Sequence, residues 1–87
     1  MAISLAVMPK PANPKQMRIS EAARAAGVSK QTVEYYIMIG LIRPLRTPSR
    51  KGRMFDETIV RRIQLIRRLN QSGYTLRDIR ETYLRKR

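Results

Sequence analysis

The chain has 87 residues, of which 43% are hydrophobic, and it carries 19 Lys and Arg against 6 Asp and Glu, for a formal net charge of +13. It contains no Cys and no His, which excludes disulfides, metal sites built on thiolates or imidazoles, nucleophilic Cys and the usual general base. We therefore expect one small domain without a catalytic site, metal or cofactor, whose charge favours a polyanionic partner.

The excess of positive charge is concentrated in the second half of the chain. Residues 1–42 carry a net charge of +3 and residues 43–87 a net charge of +10. No segment approaches the ~20 apolar residues of a membrane span, and the opening MAISLAVMP lacks the basic start and the cleavage pattern of a signal peptide. The sequence therefore predicts a cytoplasmic, nucleoid-associated protein that binds nucleic acid and no membrane.

The first residues differ in composition from the rest. Residues 9–16, PKPANPKQ, place three prolines among polar residues, a pattern that resists helix formation and behaves as an extended linker. We expect residues 1–16 to form a flexible Pro-rich tail and residues 17–87 to form a single folded domain.

Two short helices around a glycine turn are predicted next. Structure is expected to start at Ile19, with Ser20 as the N-cap of the helix SEAARAA and Gly27 as its left-handed end. Ser29 is then the predicted N-cap of a second helix, at about residues 30–39, entered through a hydrophobic staple.

Two further helices follow a polar segment. The segment RPLRTPSRKGR holds two prolines, one glycine and five bases, which predicts a basic β-hairpin, or wing, at about residues 43–54. Asp56 is the predicted N-cap of a third helix that runs to about Asn70, and Thr75 that of a fourth. The third helix has a predicted inward apolar stripe and a basic outer face. The stripe is Ile59, Ile63, Ile66 and Leu69 or Asn70, and the outer face carries Arg61, Arg62, Arg67 and Arg68. The expected fold is mainly α, a winged helix-turn-helix of about four helices, with the small hairpin between the second and the third.

The second helix has the division of faces that a recognition helix needs. Its apolar side docks on the domain, and the side chains near its N-terminus are free to enter a major groove and to meet phosphates. The candidate DNA-binding residues here are Ser29, Lys30, Gln31, Thr32, Tyr35 and Tyr36. The alternative is that the hydroxyls only cap the helix and the other polar residues form a solvated face.

Adjacent positions on a helix point about a quarter turn apart. We therefore expect one of Tyr35 and Tyr36 to pack inward and the other to present its hydroxyl to the DNA backbone.

Two side chains of this helix are candidates for reading bases, Gln31 and Glu34. A glutamate can accept a hydrogen bond from cytosine N4 in the major groove, although its charge repels phosphates. The alternative for Glu34, which we favour slightly, is a pair with Lys30 one turn earlier, worth only ~0.2–0.5 kcal/mol.

The cations of the wing are candidates for contacts with phosphates or with a narrow minor groove. Gly52 permits the tight turn that a hairpin tip needs. A merely solubilising charge run is the alternative. The wing candidates are Arg43, Arg46, Arg50, Lys51 and Arg53.

Four motifs in this order, RISEAARAAGVSKQTVEYYIMIGLI, RPLRT, GRMFDE and LNQSGYTLRDI, resemble the DNA-binding domain of the MerR family of bacterial transcription regulators. The resemblance covers about residues 18–84. It implies a first helix, a recognition helix, a wing and a following helix pair. It also implies a bacterial or phage-like origin and DNA contacts from Ser29, Thr32, Tyr35, Tyr36 and Arg53.

The chain departs from the family pattern in several places. Family members commonly have Arg at the place of Glu34 and Glu at that of Ile37, and often Gly-Tyr at that of Lys51 and Gly52. Typical members also continue into a long dimerisation helix and an effector-sensing domain, which this sequence does not contain. We therefore expect a monomer in solution that pairs only on adjacent DNA half-sites.

The sequence favours a double-stranded DNA-binding transcription regulator, or the isolated DNA-binding domain of one, that is not an enzyme. RNA polymerase or another DNA-bound protein is a candidate second partner. An excisionase-like architectural factor with the same fold is one alternative. A protein- or RNA-interaction module, with an apolar patch at residues 37–39, is another.

Overall fold

A computed structural model describes residues 16–49 and 51–83. The elements in chain order are β1 (Gln16–Met17), α1 (Ile19–Ala26), α2 (Lys30–Met38), β2 (Phe55–Asp56), α3 (Glu57–Gln71) and α4 (Leu76–Asp78), which continues as a π-helical turn, Ile79–Tyr83. This order confirms the predicted mainly helical fold. Residues 1–15 of the predicted tail and the wing candidate Arg50 lie outside the described residues.

Helix α1 begins earlier than the sequence predicted. Its N-cap is the extended residue Arg18, whose carbonyl accepts the N–H of Ala22 at 3.0 Å, and no side chain caps the helix. The prediction of Ser20 as N-cap was therefore wrong, because the backbone is already helical from Ile19. Gly27 ends the helix as predicted, at φ 79°, a conformation that glycine adopts without steric cost.

The caps of the three other helices are those that the sequence predicted. The N–H of Thr32 donates to Ser29 Oγ, that of Ile59 to Asp56 Oδ1, and that of Asp78 to Thr75 Oγ1, each at 3.0 Å. Each bond satisfies one of the four backbone donors that a helix start leaves without an intrahelical partner. The local cap pattern therefore sets the starts of α2, α3 and α4.

The small sheet pairs strands that are far apart in sequence. Strand β1 runs antiparallel to β2, with Gln16 opposite Asp56 and Met17 opposite Phe55. Gln16, which the sequence assigned to the tail, therefore belongs to the folded domain. The wing closes separately, where Leu45 and Met54 exchange two backbone hydrogen bonds of 2.8 and 3.0 Å.

The core lies where α1, α2, α3 and the β2 strand meet. Alanines on α1 let the other helices approach closely, and α3 contributes the predicted apolar stripe, of which Ile63 and Ile66 are fully buried. The largest fully buried side chains are Phe55, Leu41, Met54, Ile63, Ile66, Ile79 and Val33. The core therefore fixes α2 through its apolar face and leaves the opposite face outward.

Among the described residues, no helix has both the length and the apolar character needed to cross a membrane.

Candidate nucleic-acid interface

The first turn of α2 presents short polar side chains in an ordered arrangement. Ser29 Oγ accepts the Thr32 N–H and lies 2.9 Å from Thr32 Oγ1, so the two hydroxyls form one hydrogen-bonded pair. Lys30 and Gln31 are exposed beside them. The cap and the exposed face are compatible, because the cap engages only the Ser29 and Thr32 hydroxyls and leaves the side chains of Lys30 and Gln31 exposed.

The two tyrosines of α2 divide as expected, one outward and one inward. Tyr35 is 47% exposed, whereas Tyr36 is 5% exposed and belongs to the core. Burial raises the pKa of Tyr36, and the nearby charge of Arg67 acts in the opposite direction. The burial of Tyr36 does not support its inclusion among the DNA contacts, and Tyr35 remains the candidate of the two.

Glu34 forms a bidentate ion pair with a wing residue. Arg53 Nη1 donates to Glu34 Oε1 at 3.0 Å and Arg53 Nη2 to Oε2 at 2.9 Å. The hydrogen bond from Arg53 holds the pKa of Glu34 below its usual value, and Lys30 adds a smaller attraction. The favoured pairing of Glu34 with Lys30 was therefore wrong, because the fold brings a planar guanidinium fork to the same carboxylate.

Most cations of the wing are exposed, and the tip of the wing contacts Arg18, the residue that follows strand β1. Arg43, Arg46 and Lys51 are exposed, and Arg53 is partly buried by its pair. Arg18 Nη1 donates to the carbonyl of Lys51, and Gly52 follows at φ 81°, where an added Cβ would approach that guanidinium to 3.2 Å. The turn at Gly52 therefore has a backbone and a packing reason for glycine.

Two arginines donate hydrogen bonds to backbone carbonyls at and just after the end of α2. Arg62 Nε on α3 donates to the carbonyl of Leu41 at 3.0 Å, and Arg80 Nη1 donates to the carbonyl of Ile39 at 2.9 Å. Ile39 is the C-cap of α2, so Arg80 satisfies an acceptor that the helix end leaves unpaired and complements the helix dipole, whereas Arg62 holds the segment that follows. Sequence reasoning placed Arg62 on an outer face and missed both roles, since many arginines are available and no local signal selects these two.

The start of α2 and the wing together form one candidate binding surface. An outward helix start lies beside a loop of exposed cations, and the two are joined by the Glu34–Arg53 pair. Across residues 16–49 and 51–83, no three Asp, Glu, His or Cys side chains come together as metal ligands would. Two helices around a glycine turn, followed along the chain by a wing, define the class of winged helix-turn-helix nucleic-acid-binding domains.

The family within this class follows from comparison with known proteins. The family model described as MerR HTH family regulatory protein matches residues 17–86. The chain therefore belongs to the MerR family of helix-turn-helix regulatory proteins, as the sequence motifs predicted.

The relatives are bacterial regulators. The chain is 36% identical over 64 residues to the mercuric resistance operon regulatory protein of Bacillus cereus, covering 74% of this chain and 48% of the relative. It is 41% identical over 64 residues to the HTH-type transcriptional regulator CueR of Bacillus subtilis, covering 74% and 44%. The chain thus spans about half the length of the curated relatives it matches.

A solved structure shows the same fold. The crystal structure of a transcription regulator from Ralstonia metallidurans in complex with lead(II) superimposes with a TM-score of 0.68 at 34% identity. The match covers 75% of this chain and 51% of that one. The likeness supports the arrangement of helices and wing described above.

Proposed function

We propose that this chain is the DNA-binding domain of a transcription regulator that recognises a specific double-stranded sequence. The observation that carries the proposal is the joined surface of α2 and the wing, in which an exposed helix start lies beside exposed cations. Phosphate groups bind preferentially at the N-termini of helices and to arginine and lysine side chains. Membership in a family of helix-turn-helix regulatory proteins supports this proposal.

The proposed contacts divide into those that position the domain and those that read bases. Helix α2 enters the major groove, where Gln31 reaches base edges and Ser29, Lys30 and Thr32 meet the backbone. Tyr35 supports them from its exposed position one turn later. The wing follows the backbone or the minor groove through Arg43, Arg46, Arg50, Lys51 and Arg53.

The proposal also covers catalytic activity, cellular location and a second partner. We infer a protein without catalytic activity or cofactor, because the sequence lacks the Cys and His on which such sites most often depend. It acts in the bacterial cytoplasm on the nucleoid, with RNA polymerase or another DNA-bound protein as a second partner.

We infer that the 87-residue chain is a monomer in dilute solution and pairs on adjacent half-sites. The large apolar side chains exposed in the described part of the chain, Tyr35, Met38, Leu65 and Tyr74, are distributed over α2, α3 and the turn before α4. Light scattering without DNA should give the mass of one chain, and a dimer at micromolar concentration would contradict this state.

Selection of bound duplexes from a random DNA pool tests the function. The selection is run at two salt concentrations with random duplex RNA as competitor, because phosphate contacts weaken with salt whereas base contacts survive better. We expect an enriched motif that persists at the higher salt. Salt-sensitive binding without a motif would instead indicate an architectural factor, and preference for the RNA would reject DNA as the partner.

A further inference from the structure

The ion pair between α2 and the wing joins two parts of the interface that lie far apart in the sequence. Glu34 and Arg53 are 19 positions apart, and both guanidinium nitrogens at the end of Arg53 engage both carboxylate oxygens, at 2.9 and 3.0 Å. Two parallel hydrogen bonds fix the relative orientation of the planar groups, which a single contact does not. The pair therefore helps the core to fix the orientation of the wing relative to α2.

Both partners keep part of their surface in solvent. The side chains are 34% exposed for Arg53 and 44% for Glu34, so the pair is accessible from solvent within the proposed DNA-binding surface. A guanidinium has five N–H donors, and the pair occupies two of them. The other three remain available, but the positive charge behind them is matched by the carboxylate.

The charges persist at neutral pH. The hydrogen bond from Arg53 lowers the pKa of Glu34, and the same bond raises the pKa of Arg53. The carboxylate is therefore ionised whenever the protein meets DNA under physiological conditions.

We propose that Glu34 is a specificity-determining positioning residue, which holds Arg53 and the wing in one orientation and withholds the charge of Arg53 from random-sequence DNA. This inference rests on the proposed DNA-binding function. Glu34 acts through Arg53 and needs no base contact of its own.

The two kinds of DNA respond differently to such a pair. Binding to random DNA is almost entirely electrostatic, so one neutralised arginine removes about one phosphate contact and its released counterions. On the specific site, a wing that is already oriented lowers the entropic cost of forming the full set of contacts. The pair therefore weakens random binding more than specific binding and widens the ratio between them.

The test measures the affinity of the 87-residue protein for its selected duplex and for a scrambled duplex over a range of salt concentrations. In Glu34→Gln, we expect the affinity for the scrambled duplex to rise about two- to fivefold, a change that corresponds to the interaction free energy of an exposed ion pair. The salt slope on that duplex should steepen by about 0.9, one phosphate contact. Affinity for the selected duplex should stay equal or fall, so that the specificity ratio decreases.

Glu57→Gln is the matched control for net charge. Glu57 is an exposed carboxylate on α3, 3.7 Å from Arg61, outside the proposed interface. Its removal changes the charge by the same amount, so both duplexes should respond equally and the ratio should not change. An equal rise on both duplexes in Glu34→Gln would show that Glu34 acts only through net charge and would overturn the proposal.

Two variants at position 53 separate orientation from charge. Arg53→Lys keeps the charge but loses the two-pronged contact, so the specificity ratio should fall even if Glu34→Gln fails to fold. In an Arg53→Gln background, Glu34→Gln should no longer change the ratio. An unchanged ratio in Arg53→Lys, or an undiminished effect of Glu34→Gln without Arg53, would overturn the proposal.

The failure of this inference is distinguishable from the failure of the proposed function. If the unsubstituted protein selects no duplex, the proposed function and this inference both fall. If it selects a duplex and the variants leave the ratio unchanged, only the role of Glu34 falls.

Discussion

Glu34 is one of six carboxylates in a chain with 19 basic residues, so an unpaired acid on a DNA-facing helix would be unexpected. Sequence spacing offered it Lys30, at one helical turn, and the structure gives it Arg53. The difference is physical, because a lysine ammonium offers a point charge on a flexible chain, whereas arginine matches both carboxylate oxygens at once.

The pair makes the stability of the domain depend on pH in a defined direction. Arg53 lowers the folded-state pKa of Glu34 below its ordinary value of 4.5. The stabilisation is therefore fully present above that value and is lost as the pH falls through the lowered folded-state pKa. The difference in free energy of unfolding between the unsubstituted protein and Glu34→Gln should shrink on acidification, as measured by denaturant unfolding between about pH 7 and pH 3.

The background variant Arg53→Gln provides the control for this pH dependence. Without the guanidinium, the same comparison at position 34 should lose most of its dependence on pH. A difference that grows as the pH falls would contradict the assigned sign.

A second pair of substitutions tests the division of labour within the interface. Gln31→Ala should change the preference among duplex sequences, because Gln31 is proposed to reach base edges. Arg46→Ala should weaken binding to all duplexes similarly and lower the salt slope by about one, because the proposed contact of Arg46 is with phosphate. Competition binding at several salt concentrations measures both effects, and indistinguishable behaviour of the two variants would contradict the division.

At the scale of elements, short-range capping signals explain most helix starts. Ser29, Asp56 and Thr75 each accept the N–H three residues later, and all three follow from local sequence. The start of α1 has no such bond, because its N-cap Arg18 carries no side-chain acceptor, and the neighbouring strand residue Met17 pairs with Phe55. Tertiary pairing of β1 therefore sets the beginning of α1.

This contrast predicts different effects for two serines. Ser29→Ala removes the acceptor of the Thr32 N–H and should lower the free energy of unfolding by about 0.5–2 kcal/mol. Ser20→Ala is the matched control, since α1 has no side-chain cap, and it should change stability by less than about 0.5 kcal/mol. Thermal unfolding of both variants checks the assignment, which equal losses would contradict.

At the scale of the whole molecule, one small core holds both halves of the interface. Phe55, directly after the wing, is fully buried in one cluster with Val33 of α2 and Ile63 of α3. Because the domain has one core, damage to α3 should reach the recognition helix and the wing together.

Two large-to-small changes on α3 test this coupling. Ile63→Ala, at a fully buried position, should cost about 2–5 kcal/mol, a large share of the ~5–15 kcal/mol that stabilises a typical domain. Leu65→Ala is the control on the same helix, since Leu65 is 41% exposed, and should cost much less. Denaturant unfolding followed by circular dichroism measures both, and comparable losses would contradict the described core.

The sequence by itself determined the features that depend on neighbours three or four residues away. These are the number and order of the helices, three of their caps, the glycine after α1, the apolar stripe of α3, the basic wing and the family motifs. Hydrophobic periodicity and capping are local signals, so they can be interpreted without knowing the fold.

Only the tertiary structure decided which distant groups meet. It paired Gln16 and Met17 with β2 and placed Tyr36 in the core. It also brought Arg62 and Arg80 to carbonyls at and just after the end of α2, and it paired Glu34 with Arg53. With many arginines competing for few acceptors, the sequence holds no local preference among them. The packing of α1, α2 and α3 around one core brings particular guanidinium groups within reach, and that geometry selects the partners.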